Sequence, residues 1–375
     1  MPTPRLDKSE IDLLNLQGLS CLIANRKQAR RLIRIAQAAA KAVEYERGLA
    51  YAQVNQFWLA YYAGDIEQAE PLCRPLRECF ERSGDLEGGM AVDVALGALA
   101  SRRGDFALAE QHFEQAREVA AHSPDTLHKF MLYSRIGIDA LNRGDTRSGP
   151  RNFLLALDIA ERFGTASHRV NSLSNLASSQ HDLGNDEDAI PLLVEALDII
   201  GNEKLAHQQA LVSANLAMCL LASGKAGEAL ALVEPFYEEQ QDDLAVRAFL
   251  FCIAAHASIL IGRLDGAQAL LGRAQLYARE SEDFEEQMHA WLVLGVLESR
   301  RDRPEMALRA LEQAHALLSW TRNPFYQQQI FELLADINAR LGKWEAAYGL
   351  LRQYQAHFEA GSKSARDSRL LMRSL

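Results

Sequence analysis

The sequence predicts an all-α solenoid of antiparallel helix pairs, and three observations lead there. The first is a fixed period. A glycine turn recurs at Gly64, Gly104, Gly144, Gly184 and Gly224 at intervals of 40, slips once to 38 at Gly262, and returns at Gly342. Repetition at this interval marks stacked units, each burying its apolar face only against a neighbour. The second is a set of small residues held at constant offsets from that turn. The third is apolar spacing of three to four throughout, the spacing of amphipathic helices. Composition agrees, since Ala and Leu dominate and aromatics are only 7% of the chain.

Each unit divides at its glycine into two helical halves. Seven residues ahead of the turn stand Gly97, Gly137, Ala177, Ala217, Ala255, Gly295 and Ala335, with Phe57 the one large residue in the column. A small side chain there lets the second helix approach closely. After the turn come Ala69, Ala109, Ala189, Ala229, Ala267 and Ala347, and seven further on Ala36, Ala116, Ala156, Ala196, Ala274 and Ala314. The glycine is expected to end the first helix in the left-handed conformation that other residues avoid. Asp65, Asp105, Asp145 and Asn185 follow it, where a side-chain oxygen caps the next helix. At Asp302 the glycine is missing, and Arg303-Pro304 is expected to supply the helix start. Each helix should run about 17 residues, roughly 25 Å.

The ends differ. Residues 1–48 read as capping helices or a degenerate repeat, Ile11 to Ala24 and Asn25 to Glu46, with Ala24 and Ala29 in the turn register. Arg26, Lys27, Arg30, Arg31 and Arg34 on the second helix form either a solvated face or a contact for an acidic partner. Residues 49–360 hold eight repeats. Residues 361–375 read as a linker helix leading to an output domain outside the chain, and as a surface through which two copies could join.

Several function classes fall away. A net charge of −10 repels phosphate backbones, so nucleic acid is not expected as a partner. Five scattered cysteines with no CxxC suit a reduced, cytoplasmic chain. No apolar run approaches the roughly 18 residues of a membrane span. GxxxxGK[ST], GxGxxG, HExxH and GxSxG are absent, and the ten histidines never pair at ligand spacing. No catalytic residue, metal or cofactor is therefore expected. Asn185-Asp186-Glu187-Asp188 is acidic but sits where a helix cap belongs, without the longer ligand series of a calcium loop.

The small positions, with Gly97, Ala109, Ala116 and Ala177, Ala189, Ala196 as two full sets, resemble those of the tetratricopeptide repeat. The unit is 40 residues instead of 34, as in the extended arrays of bacterial regulators. This resemblance implies a right-handed superhelix whose first helices line a concave groove for a protein or peptide. Asn175 and Asn215 each precede a Leu-Ala pair, and Asn55 holds the equivalent place. They resemble the asparagine with which peptide-binding members clamp a ligand backbone, a task suited to an amide that both donates and accepts. The alternative is that they hydrogen-bond the adjacent helix. Arg135 and Arg102 would then anchor a carboxylate, and Asn142, Ser178 and His181 belong to the same face. Trp58 and Tyr62, with Tyr51 and Tyr61, form a stripe that either packs against the capping helices or offers a ligand platform. The run from Tyr354 to Met372 resembles the junction between such arrays and diguanylate cyclase (GGDEF) domains. The chain thus reads as a non-catalytic binding module, the sensory region of a bacterial signalling protein. The ligand-binding arm of a transcription regulator and a passive assembly scaffold stay open.

Overall fold

The computed structural model describes residues 6–203, 205–238, 243–281, 283–320 and 323–356. The first helices in order are α1 (Lys8–Ala24), α2 (Arg26–Ala42), α3 (Glu46–Tyr62), α4 (Ile66–Ser83), α5 (Leu86–Arg102) and α6 (Phe106–Ala121). They are followed by α7 (Leu127–Asn142), α8 (Ser148–Phe163), α9 (Ala166–Asp182), α10 (Asp186–Glu203) and α11 (Ala206–Ala222). Then come α12 (Ala226–Val233), α13 (Leu244–Leu260), α14 (Leu264–Glu280), α15 (Phe284–Arg300), α16 (Pro304–Leu317) and α17 (Pro324–Arg340). A further helix occupies 344–356, and there is no strand among the described residues. The protein is an all-α solenoid of helix pairs. It divides into two compact units, one of residues 1–139 with 152–172, the other of residues 140–151 with 173–375.

The turn chemistry works as its residue types require. Gly64, Gly104, Gly144, Gly184, Gly224, Gly262 and Gly342 all take positive φ, between 71° and 82°. Asp302 takes it as well, at φ 56°, with Arg340 Nη2 donating to its carboxylate at 2.7 Å. The turn therefore keeps its shape without its glycine, which the sequence pattern did not foretell, and Pro304 opens α16 as expected. Asp65, Asp105 and Asp145 accept the backbone N–H groups of Gln68, Leu108 and Ser148.

The small columns set helix separation. A Cβ built on Gly97 would lie 2.6 Å from the Phe113 ring, and one on Gly137 would lie 2.5 Å from Phe153. Each glycine thus receives an aromatic side chain sixteen positions later. Phe57 inverts the arrangement, because the residue sixteen positions on is Cys73, and both are buried. Volume is exchanged across the pair and the packing survives. The second columns behave uniformly: Ala29, Ala36, Ala109, Ala116, Ala189, Ala196, Ala267, Ala274, Ala307 and Ala314 are all fully buried. The slip to 38 also has a cause. Pro235 stops α12 after eight residues and closes a 3₁₀ turn, Glu234–Phe236, in place of a full helix.

On α2, Lys27, Arg30, Arg31 and Arg34 point to solvent. No described helix is long and apolar enough to cross a membrane. The linker helix expected at 361–375, the joining of two copies through it, and most of the run from Tyr354 to Met372 lie outside the described residues.

Candidate functional site

In the first unit the predicted residues converge on one face of α3, α5 and α7. Trp58, Tyr61 and Tyr62 recur at helical spacing on α3 and pack ring to ring, with centroids 5.4 to 5.9 Å apart. Trp58 is fully buried, so the stripe belongs to the core. Arg135 reaches over it from α7, its guanidinium 5.3 Å from the Trp58 ring, 5.4 Å from Tyr61 and 5.1 Å from Tyr62. Its Nη2 donates to the Tyr62 hydroxyl at 2.6 Å, while Nε has no acceptor. Arg102 donates to the Tyr61 carbonyl at 3.1 Å. Aromatic faces carry negative charge density, which is what lets a cation rest there without a carboxylate. Asn55 is buried, and its Nδ2 donates to the Asn15 carbonyl at 2.9 Å. At this position the amide ties α3 to α1, the second of the two roles the sequence allowed.

In the second unit Asn142, Asn175, Ser178 and Asn215 are half-buried. Asn175 and Asn215 occupy one repeat position on α9 and α11, and Asn215 Nδ2 donates to Ser174 Oγ at 2.8 Å. His181 is buried; its Nδ1 lies 2.6 Å from Asp186 Oδ1, and its Nε2 has no partner. The neighbouring residue ties distant parts of the chain together. Asp182 Oδ2 accepts from Asn323 Nδ2 at 3.0 Å, and the His181 ring lies tilted against Phe325, 4.5 Å between centroids. The end of α9 thus meets the start of α17, and Asp182, His181 and His256 lie close enough to Glu285 and His289 of α15 to act on them electrostatically, making a shared polar interior.

That interior is unusual in its electrostatics. Burial pushes Asp182 up to about 6. Glu285 is pushed to about 8 by burial, with Asp283 and Asp182 adding to it. Glu286 is raised well above its ordinary value by the same burial and by Asp283, Glu285 and Asp243. Burial lowers His256 to about 4, helped by Arg300, and lowers His289 to about 3, helped by His256 and His181. With little counter-charge close by, burial disfavours the charged form of each group. At neutral pH Glu285 keeps its proton and His256 and His289 are uncharged, while Asp182 is largely ionised, so the lining offers both donors and acceptors to a polar guest. Sequence reasoning missed Asp182, Glu285, Glu286, His289 and Asn323. The signal was present as acidic residues one helical turn from a histidine, Glu285 and Glu286 ahead of His289.

A tetratricopeptide repeat family model matches residues 172–205. Among solved structures the chain is similar to a Rap protein complexed with competence and sporulation factor, at 16% identity, 95% of this chain and 100% of that chain covered, and TM-score 0.71. It is similar to the Rap conjugation gene regulator of the plasmid pLS20 in complex with the Phr* peptide, at 12% identity, coverage of 94% and 96%, and TM-score 0.60. It is also similar to the apo form of the quorum sensor NprR from B. thuringiensis, at 15% identity, coverage of 93% and 99%, and TM-score 0.60. At such identities the likeness is one of fold. No curated protein matches the chain.

Proposed function

We propose that this chain is a non-catalytic peptide-binding module of a bacterial signalling protein, working in the cytoplasm. It would hold an extended peptide on the first-helix face of the second unit. The observation that carries this reading is the pair Asn175 and Asn215, half-buried amides at one repeat position on α9 and α11. Amides at that spacing suit successive peptide groups, whatever side chains the peptide bears. Asn142 and Ser178 extend the polar face. Trp58 belongs to the core in this reading, Asn55 to the α1–α3 contact. In the first unit Arg135 and Arg102, with Tyr62, offer a cationic face to an acidic group. Fold neighbours that were crystallised with the Phr* peptide and with competence and sporulation factor support a peptide as the guest class. The likeness of Tyr354–Met372 to the junction before diguanylate cyclase domains supports a signalling output.

A thermal-shift screen of the full chain against a library of short linear peptides is expected to find members that raise the melting temperature. For such a peptide, Asn175→Ala with Asn215→Ala should weaken calorimetric affinity by at least about tenfold, or 1.4 kcal/mol, with helicity unchanged. A library without a stabilising member, or undiminished affinity in the double variant, overturns the reading.

A further inference from the structure

Two residues of the second unit's polar interior, Glu286 and His289, also form a tighter cluster with Cys252. Cys252 lies midway along α13, and Glu286 and His289 stand one turn apart at the start of α15. Each offers one ligand atom, and these atoms all lie within 4.8 Å of one another. Glu286 Oε2 and His289 Nδ1 are 3.9 Å apart, too far for a hydrogen bond, and both are buried atoms with no hydrogen-bond partner. Two buried polar atoms left unsatisfied in this way are costly unless something joins them. Only 5% of the His289 side chain is accessible, and 16% of that of Glu286.

We propose that Cys252 Sγ, Glu286 Oε2 and His289 Nδ1 form a binding site for a divalent transition-metal ion of the zinc class. One sulfur, one nitrogen and one oxygen are the donor types that zinc accepts. Ligand atoms about 2.0–2.3 Å from a tetrahedral ion are roughly 3.3–3.7 Å from one another. The observed 3.9 Å between oxygen and nitrogen therefore closes by about half an ångström on binding, and the sulfur, within 4.8 Å of both, by no more than about 1.3 Å. Three protein ligands leave the fourth position to water. Aromatic walls surround the imidazole, with Phe249 5.9 Å and Tyr326 5.7 Å away between centroids.

A second triad, His181, Asp186 and Cys219, has the same residue types. There, however, the imidazole and the carboxylate already satisfy each other at 2.6 Å. Occupying that triad would break a hydrogen bond, whereas occupying Cys252, Glu286 and His289 would create partners for two orphaned atoms. This difference selects the site on α13 and α15.

The test uses the full chain, stripped with a chelator and titrated with Co²⁺ and Zn²⁺. One tightly held ion per chain is expected, and with Co²⁺ a near-ultraviolet sulfur-to-metal charge-transfer band that Zn²⁺ displaces. Cys252→Ser should abolish the band, and Glu286→Gln and His289→Gln should each weaken binding by at least about tenfold, since losing a direct ligand costs no less than losing a group that only orients one. Cys219→Ser should leave the band intact. Circular dichroism establishes that each variant is folded, and should Cys252→Ser lose helicity the Glu286 and His289 variants decide alone. No stoichiometric ion, a band lost with Cys219 and kept without Cys252, or binding indifferent to Glu286→Gln and His289→Gln overturns the proposal.

Discussion

In the first unit the Arg135 guanidinium is covered by the rings of Trp58, Tyr61 and Tyr62, whereas in the second unit Asp182, Glu285 and Glu286 are gathered with little but histidines beside them. A delocalised cation keeps its charge under aromatic faces, because their quadrupoles stand in for a counter-ion. A carboxylate has no such substitute in an apolar setting, and its hold on a proton tightens. Evolved on one repeat, the two inner faces therefore answer differently to change. The ring-lined face is part of the core, and altering it should cost stability. The acid-and-imidazole face is where the proposed function seats a guest, and altering it should change binding and pH response.

The largest effect that separates them is expected at Trp58. This ring is 1% exposed and touches Phe57, Tyr61 and Tyr62 as well as Arg135. Trp58→Ala should cost about 3–5 kcal/mol, the range for emptying a large aromatic site in a core. Chemical denaturation followed by far-ultraviolet dichroism measures it. A loss below about 1 kcal/mol would mean the stripe is a surface that ligands cover, and the contrast between the units would fail.

A smaller effect tests the second unit through pH. The raised values of Glu285, about 8 against an ordinary 4.5, and Asp182, about 6 against 3.8, mean that the folded state holds protons the unfolded chain has released. Their stabilisation is complete below the ordinary values and is lost as pH rises through the folded ones. The lowered histidines act the other way. His168 in the first unit falls to about 4, as does His256 in the second, so stability present above 6.5 is lost as pH falls through 4. Stability against heat should therefore fall between pH 5 and 8 through the second unit's acids. Glu285→Gln should flatten that limb and leave the acid limb in place. A limb as steep in the variant as in the parent would remove Glu285 as its source.

Much of the first half of this contrast was legible in the sequence, and little of the second. Periodic glycines, capping aspartates and alanine columns each act within one repeat, so their chemistry shows in the local pattern. Trp58, Tyr61 and Tyr62 share one helix and are visible as a stripe for the same reason. Asp302 escaped because its positive φ is set by the turn around it and by Arg340 from the next repeat. The polar interior escaped for a stronger reason. Asp182 and Asn323 are 141 residues apart, and only the curvature of stacked helices brings them together. Asn55 and Asn215 looked equivalent by register. One faces α1 and bonds Asn15; the other faces α9 and bonds Ser174. The neighbour, not the repeat position, decides what an amide does.

The smallest effect asks whether the rings truly hold the charge of Arg135. Arg135→Lys keeps the charge but replaces a flat guanidinium, within 5.1 to 5.4 Å of three ring centroids, by a compact ammonium that stacks poorly. It also moves the donor away from the Tyr62 hydroxyl. A loss of about 1 kcal/mol is expected, in the range of a partly desolvated cation–π contact. Arg135→Met supplies the comparison, since it fills similar space with no charge at all. If the cage favours a cation, the lysine variant should unfold at higher denaturant than the methionine variant. If methionine proves the more stable, the rings only tolerate the guanidinium as a flat hydrophobic body, and its charge is retained for a partner that arrives from outside.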